Sequence, residues 1–277
     1  VDNDAVNQGW LCDKGRYNFE YLNSDSRLKT PLKKIDNELV EIEIQDVYSE
    51  LSEVIKDRQT KVNFLLGTNL TNEDYVAFRE FSEIISQSEK SFYLNDDKLH
   101  PGLFGENVDL AKVDDLNSSD AIVVWAEDLK EKIPVLYLRI RQAVKNGVKL
   151  VVFGHTNETL SDIADVFYGK ETVSENFEIV KDISKLKEIK DLVIGKNITA
   201  ILGKSTPHQS DKSVTKLFEF LNSNSNSKVL NAYSKGNTYG AFQTLENVKG
   251  LNDFVNEISE ENTCLLYTSP SPRDLST

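Results

Sequence analysis

The sequence predicts an α/β fold built of largely parallel sheets with helices on both faces, and three observations predict it. Apolar runs at residues 62–66, 121–125, 150–153 and 198–202 are almost unbroken, as strands covered on both faces are. Between them lie stretches whose apolar residues recur at threefold and fourfold spacing, the period of amphipathic helices. The two kinds of segment alternate along the chain, the order expected of βα units.

Residues 1–32 are turn-rich, and Pro31 prevents a helix from running through their end. Residues 40–44 alternate apolar and acidic, as a short half-buried strand would, and Val47, Leu51 and Ile55 then recur on a helix. The strand at 62–66 ends at Gly67. Thr71, Asn72, Glu73 and Asp74 open a helix in capping-box fashion, carrying Val76, Phe78, Phe81, Ile84 and Ile85. The strand at 121–125 leads to a helix whose first residue is Pro134, which sets Leu136, Ile140, Ala143 and Val144 on one face before Gly147 stops it. The strand at 150–153 follows directly. The charged stretch 175–191 reads as a subdomain boundary or a surface helix. The strand at 198–202 leads to a helix with Val214, Leu217, Phe218 and Leu221, then an Asn/Ser loop at 222–227 and a strand at 229–232.

With 277 residues, 39% of them hydrophobic and 28% charged, the chain can bury the core of one large or two modest domains. A net charge of −13, with lysines scattered among carboxylates, excludes a nucleic-acid groove or an anionic membrane patch. No apolar run approaches the ~20 residues that cross a bilayer. The chain opens on Val1 without a start Met or a signal-like n-region, so an internal start is expected. Cys12 and Cys264 show no framework spacing, which fits a reducing, cytoplasmic compartment. Residues 264–274 read Cys-Leu-Leu-Tyr-Thr-Ser-Pro-Ser-Pro-Arg-Asp, which resembles a translated transposase sequencing adapter, so 264–277 are read as adapter-derived and left out of the fold reading.

A thiolate at Cys12 can ligate iron, but a cubane cluster needs about four such ligands, and a buried structural thiol is the plain alternative. Gly203, Lys204 and Ser205 follow an apolar strand as the end of a P-loop would, yet the position that needs the earlier glycine is Ile198. His100, His155 and His208 are too far apart in sequence to define a site.

Trp10, Leu11, Cys12, Asp13, Lys14, Gly15, Arg16 and Tyr17, followed by Phe19, Asn23 and the run Arg27, Leu28, Lys29, Thr30, Pro31, Leu32, carry a resemblance. The segment resembles the junction in molybdopterin-oxidoreductase-type chains where an iron–sulfur segment passes into a large α/β body. The resemblance implies that Cys12 is the last of four ligands to a 4Fe–4S cluster, the others lying upstream, and that Lys14 sits near that cluster; an ordinary solvated charge is the alternative for Lys14. It divides the chain into the end of an iron–sulfur segment with its connector, 1–32, and an α/β body, 33–263, in one domain or two subdomains.

Two branches of that superfamily compete. A molybdenum or tungsten enzyme, such as a formate dehydrogenase, needs a metal ligand in a Cys-His-Ser-like stretch after the first helix. Here that stretch is Tyr93, Leu94, Asn95, Asp96, Asp97, Lys98, Leu99, His100, Pro101, Gly102, which has no cysteine. His100 before a Pro-Gly turn reads as a surface residue. Residues 131–144, with Pro134, Val135, Leu136 and the pair Arg139 and Arg141, are similar to a helix found in the G-type iron–sulfur subunits of NADH-quinone oxidoreductases. Lys235, Gly236, Asn237, Thr238, Tyr239, Gly240 and Ala241 resemble the Arg-Gly-Asn-x-x-Gly-Ala loop of the same family. The plain alternative is that the arginines are solvated and the glycines supply turn geometry. The resemblance implies a structural and electron-transfer part in the hydrophilic arm of the respiratory complex, with other arm subunits as partners. It also implies attachment to the inner membrane only through the complex, no molybdopterin, and no catalysis by the chain alone.

Overall fold

The computed structural model describes residues 9–17, 19–55, 62–85, 91–94, 109–126, 128–153, 159–168, 187–203, 211–233, 235–260 and 264–267. In chain order the elements are α1 (Asp13–Tyr17), β1 (Leu32–Ile35), β2 (Glu38–Glu41), α2 (Ile44–Ile55), β3 (Val62–Leu66), α3 (Asn72–Ile85) and β4 (Ser91–Leu94). There follow α4 (Asp115–Ser118), β5 (Ala121–Trp125), α5 (Leu129–Lys132), α6 (Pro134–Lys145), β6 (Lys149–Phe153), β7 (Val166–Tyr168), α7 (Lys187–Val193) and β8 (Asn197–Leu202). The last are α8 (Asp211–Asn224), β9 (Asn226–Asn231), α9 (Thr238–Thr244), β10 (Val248–Gly250), α10 (Leu251–Glu260) and β11 (Cys264–Tyr267). Contacts divide the chain into one unit of residues 1–12 and 97–234 and a second of 13–96 and 235–277.

The first unit holds a five-stranded, all-parallel sheet in the order β7-β6-β5-β8-β9. Successive residues of β5 and β6 alternate between two cores. Val123, Trp125, Val151 and Phe153 pack with Leu217, Leu221, Ile189 and Val193 on one face. Ile122, Val124, Leu150 and Val152 pack with Leu136, Ile140 and Ala143 of α6 on the other. Burial on both faces is why these strands carry no alternation in the sequence. Pro134 opens α6 at its first turn, and Gly147, at φ 100°, turns the chain back toward β6.

The second unit holds a parallel sheet in the order β10-β4-β3-β11 and a separate antiparallel hairpin, β1-β2. On one face Phe64, Leu66, Phe92 and Leu94 pack against Tyr75, Ala241 and Leu245. Phe64 meets Phe78 and Phe81 edge-on and stacks on Phe92 at 5.4 Å. The alternate residues Asn63, Ser91 and Tyr93 are buried as well. The Tyr93 hydroxyl donates to Glu257 of α10, whose carboxylate also takes Lys249 Nζ at 2.8 and 3.0 Å. The capping box forms with aspartate as its acid: Thr71 N–H donates to Asp74 Oδ2 at 2.9 Å and Asp74 N–H to Thr71 Oγ1 at 3.2 Å.

Several expectations need correction. The strand expected at 40–44 is β2, Glu38–Glu41, exposed along its length, and Ile44 instead begins α2. Asp36 and Asn37 both hold left-handed φ, 49° and 69°, the requirement of a two-residue I′ turn, and that turn sets the strand earlier. Ile84 is 82% exposed although expected on the core face. At about 100° per residue it falls on the side of α3 opposite the buried Tyr75. The loop expected at 222–227 is the end of α8 and the start of β9. Asn224 Nδ2 and Ser225 Oγ donate to the carbonyls of Phe220 and Leu221 at 2.7 and 2.6 Å, closing the helix without a long connector. Residues 264–267, left out of the fold reading as adapter-like, pair with β3 as a parallel edge strand. Such pairing uses backbone groups at an open edge and requires no particular side chains. Among the described residues no helix is long and apolar enough to cross a membrane.

Candidate functional site

Two sequence motifs meet in the first unit. The guanidinium of Arg139, on α6, lies 4.8 Å from the centre of the Trp10 ring, a cation–π contact that holds the Trp10–Cys12 stretch on the unit. Cys12 itself is half-buried, with a free thiol. Arg141 donates to the Tyr137 hydroxyl at 3.1 Å and lies 3.8 Å from the Asp162 carboxylate, so the arginine pair is half-buried and engaged, not simply solvated. Lys14, on α1, is exposed. The other cysteine, Cys264, begins β11, and among the described residues no group of three or more His, Cys, Asp or Glu converges to hold a metal. Cys12 by itself supplies one thiolate to a cluster that takes about four.

The stretch 235–241, read from the sequence as a loop, is a loop only to Asn237 and then opens α9; it closes on the turn after β3, at the carboxyl end of the second unit's sheet. Asn237 N–H donates to Thr68 O at 2.8 Å, and Gly236 N–H donates to Asn69 Oδ1 at 3.1 Å. The Asn237 carboxamide donates to Leu70 O at 2.8 Å and to Asn72 Oδ1 at 3.0 Å. Beneath them the Tyr75 hydroxyl donates to Gly67 O at 2.9 Å, and burial, helped by the nearby Asp74 charge, pushes that phenol up to about 12. The two carboxamides crowd Gly240: a Cβ there would lie 2.2 Å from both Asn237 Oδ1 and Asn72 Oδ1, so a side chain would have to displace them. Sequence reasoning singles out Gly236, Asn237 and Gly240 but misses Asn69 and Asn72, whose signal is the clustering of asparagines just past a strand end. Carboxyl ends of parallel strands are where such sheets bind ligands. Here a pterin or its phosphate would compete with these internal hydrogen bonds for the same amides.

In the first unit the strand order reverses between β5 and β8, the usual place for a ligand crevice. Among the described residues that place is closely packed. Gly203 N–H donates to Trp125 O at 2.8 Å, and a Cβ on Gly203 would lie 2.5 Å from Ala232 O. Gly203 is thus a packing glycine. Beside it Trp125, Phe153 and Tyr168 stack in a row across three strands, at 5.4 and 5.2 Å. Lys204, Ser205, the stretch 95–102 with His100, and also His155 and His208 lie outside the described residues. At the opposite, amino end of the sheet a cavity of about 150 Å³ is lined by Asp115, Ser119, Thr199, Asn226 and Lys228. Its polar groups bond one another: Lys228 Nζ donates to Asp115 Oδ1 at 3.1 Å, and the Ser119 and Thr199 hydroxyls are 2.7 Å apart.

Two parallel sheets covered by helices define an α/β class of chain. The profile of the molybdopterin oxidoreductase family matches residues 27–262, and the chain belongs to that family. Among curated relatives, the F420-dependent formate dehydrogenase 1 subunit alpha of Methanococcus maripaludis is 27% identical over 169 residues, 58% of this chain and 25% of that protein. NADH-quinone oxidoreductase subunit 3 of Thermus thermophilus is 29% identical over 142 residues, 51% of this chain and 17% of that protein. The G-type subunit of the NADH-quinone oxidoreductase of Shewanella oneidensis is 26% identical over 150 residues, 52% of this chain and 16% of that protein. The chain spans a quarter or less of the length of these relatives.

Proposed function

We propose that the chain is the molybdopterin-oxidoreductase-like part of the G-type iron–sulfur subunit of a NADH-quinone oxidoreductase. In this reading the α/β units are structural mass in the hydrophilic arm, bound to other arm subunits on the cytoplasmic side and carrying no molybdopterin. The observation that carries it is the cysteine distribution. The two cysteines, Cys12 and Cys264, both lie outside the family-matched stretch 27–262, so that stretch offers no thiolate to a molybdenum or tungsten ion. Cys12 belongs to the other chemistry. As the last thiolate of a 4Fe–4S site completed by upstream cysteines, it would hold one iron, and the cluster would supply one-electron transfer. Its own contribution is a half-buried sulfur on a stretch fixed by the Trp10–Arg139 contact, and Lys14 would add positive charge nearby. Residues 264–277 are read as adapter-derived.

A formate-dehydrogenase-like catalytic subunit is the second reading, favoured by the longer matches to the F420-dependent enzymes, 58% of this chain for two of them. Metal analysis of the full-length protein separates the two. Iron and sulfide without molybdenum or tungsten is the expected result, and stoichiometric molybdenum or tungsten overturns the first reading. Sequencing the gene upstream of Val1 and downstream of Asn262 tests the cluster and the adapter readings: a Cys-x-x-Cys-x-x-x-Cys pattern is expected upstream, and a codon series different from residues 264–277 downstream.

A further inference from the structure

The asparagines at the carboxyl end of β3 bond across to residues 236–237, one of them to Asn237 itself. Asn237 occupies the N-cap position of α9, where a carboxamide ordinarily accepts from its own helix, yet it makes no such bond. Its Nδ2 is instead turned onto Leu70 O and Asn72 Oδ1, across 167 and 165 residues of sequence. Asn69 does the reciprocal service, accepting Gly236 N–H. The Gly240 position shows how full the space is, since a single methyl group there would overlap two of these carboxamide oxygens. Two further bonds tie the same segments: Asn237 N–H to Thr68 O, and Arg79 Nη1 to Thr244 O at 3.1 Å.

We infer that Asn69, Asn72 and Asn237 form a clasp that keeps the ligand end of this sheet closed, so that the loop 235–241 ties the early and late parts of the second unit together instead of cradling a cofactor. This rests on the reading of the chain as a family member without molybdopterin and gives that reading a residue-level cause. The Asn237 carboxamide donates to Leu70 O and Asn72 Oδ1, and Asn69 Oδ1 accepts from Gly236, so these groups bond the chain itself where they could have faced a pterin or phosphate. Without a ligand at such a loop its carboxamides are free to bond the chain's own acceptors, and Asn237 uses its amide on two of them.

The test is a double-mutant cycle in urea on the full chain with Asn72→Ala, Asn237→Ala and both. Each single substitution is expected to raise the unfolded-to-folded ratio about five- to tenfold, and the double substitution by clearly less than their product. Strict additivity overturns the clasp. Asn237→Asp supplies a variant of the same shape. Its carboxylate faces the Leu70 and Asn72 oxygens as a third acceptor, so it is expected to destabilise more than Asn237→Ala at neutral pH. It should recover as the pH falls below the ordinary carboxylate range and the acid regains a donor. A pH-independent loss overturns the assigned geometry. Pyrophosphate and pterin-6-carboxylate, titrated at millimolar concentration against the wild-type chain, are expected to give no saturable rise in melting temperature. A saturable rise abolished by Asn237→Ala identifies the asparagines as ligand donors and overturns the inference. Molybdenum in the full-length protein alongside a coupled cycle would sink the molybdopterin-free reading and leave the clasp standing. Additivity in a molybdenum-free protein would do the reverse.

Discussion

Replacing Phe153 by leucine should destabilise the first unit by about 1–3 kcal/mol, nearly all of it from lost ring stacking. Phe153 is fully buried at the end of β6, with Trp125 on one side at 5.4 Å and 23° between planes and Tyr168 on the other at 5.2 Å and 18°. Leucine is close to phenylalanine in hydrophobic transfer energy, so burial changes little. What disappears is two aromatic contacts at about 0.5–1.5 kcal/mol each. Phe153→Ala adds a cavity and should cost about 3–5 kcal/mol. Urea unfolding followed by tryptophan fluorescence reads the effect directly, because Trp125 is buried within the stack while Trp10 is 42% exposed. A cycle with Tyr168→Leu isolates one contact and should return a coupling of about 0.5–1.5 kcal/mol. A coupling of a few tenths or less would refute the stack as a source of stability and leave only shape-filling.

Three further outcomes follow from the same physical terms. Burial, with the hydrogen bond to Glu257, pushes the Tyr93 phenol up to about 12 from 10.0, so its stabilisation is complete below pH 10 and is lost as the pH rises toward 12. Tyr93→Phe should cost about 1–2 kcal/mol at neutral pH and flatten that alkaline loss in pH-dependent urea midpoints; an unchanged slope would count against it. Asp165 behaves oppositely: burial pushes its carboxyl up, but Lys149 Nζ at 2.7 Å and Leu150 N–H at 2.9 Å outweigh that and hold it below 3.8. Its contribution is present above pH 3.8 and lost as the pH falls through the lowered value, so Asp165→Asn should shrink the acid-induced loss of stability seen by circular dichroism. Gly203→Ala forces a methyl group to within 2.5 Å of Ala232 O. Overpacking of about 1–3 kcal/mol should exceed the entropic gain of about 0.4–1 kcal/mol, and a melting temperature equal to or above wild type would overturn the packing role.

The long parallel strands are legible from residue types alone. Residues 121–125 and 198–202 are apolar without alternation because both of their faces are covered, and that condition is written into composition. The long helices are legible for the same reason, through Pro134, Gly147 and the Thr71–Asp74 box, which act within one turn of the chain. Short strands are not: β4, β7 and β10 have three or four residues and form because a neighbouring strand offers backbone partners at their register. Ile84 is misplaced when helical spacing is counted through apolar residues without the buried Tyr75 as reference.

The candidate site divides along the same line. Cys12 and the loop 235–241 can be singled out from their residues, since a thiolate ligand and a glycine-rich turn are local chemistry. That Trp10 lies against Arg139, and that Asn237 is bonded to Leu70 and Asn72, depends on folding. These partners stand more than a hundred residues apart in the chain. A hydrogen bond or a ring contact acts over a few ångströms in space, and which residues come that close is set by the packing of sheets and helices, not by their order in the chain.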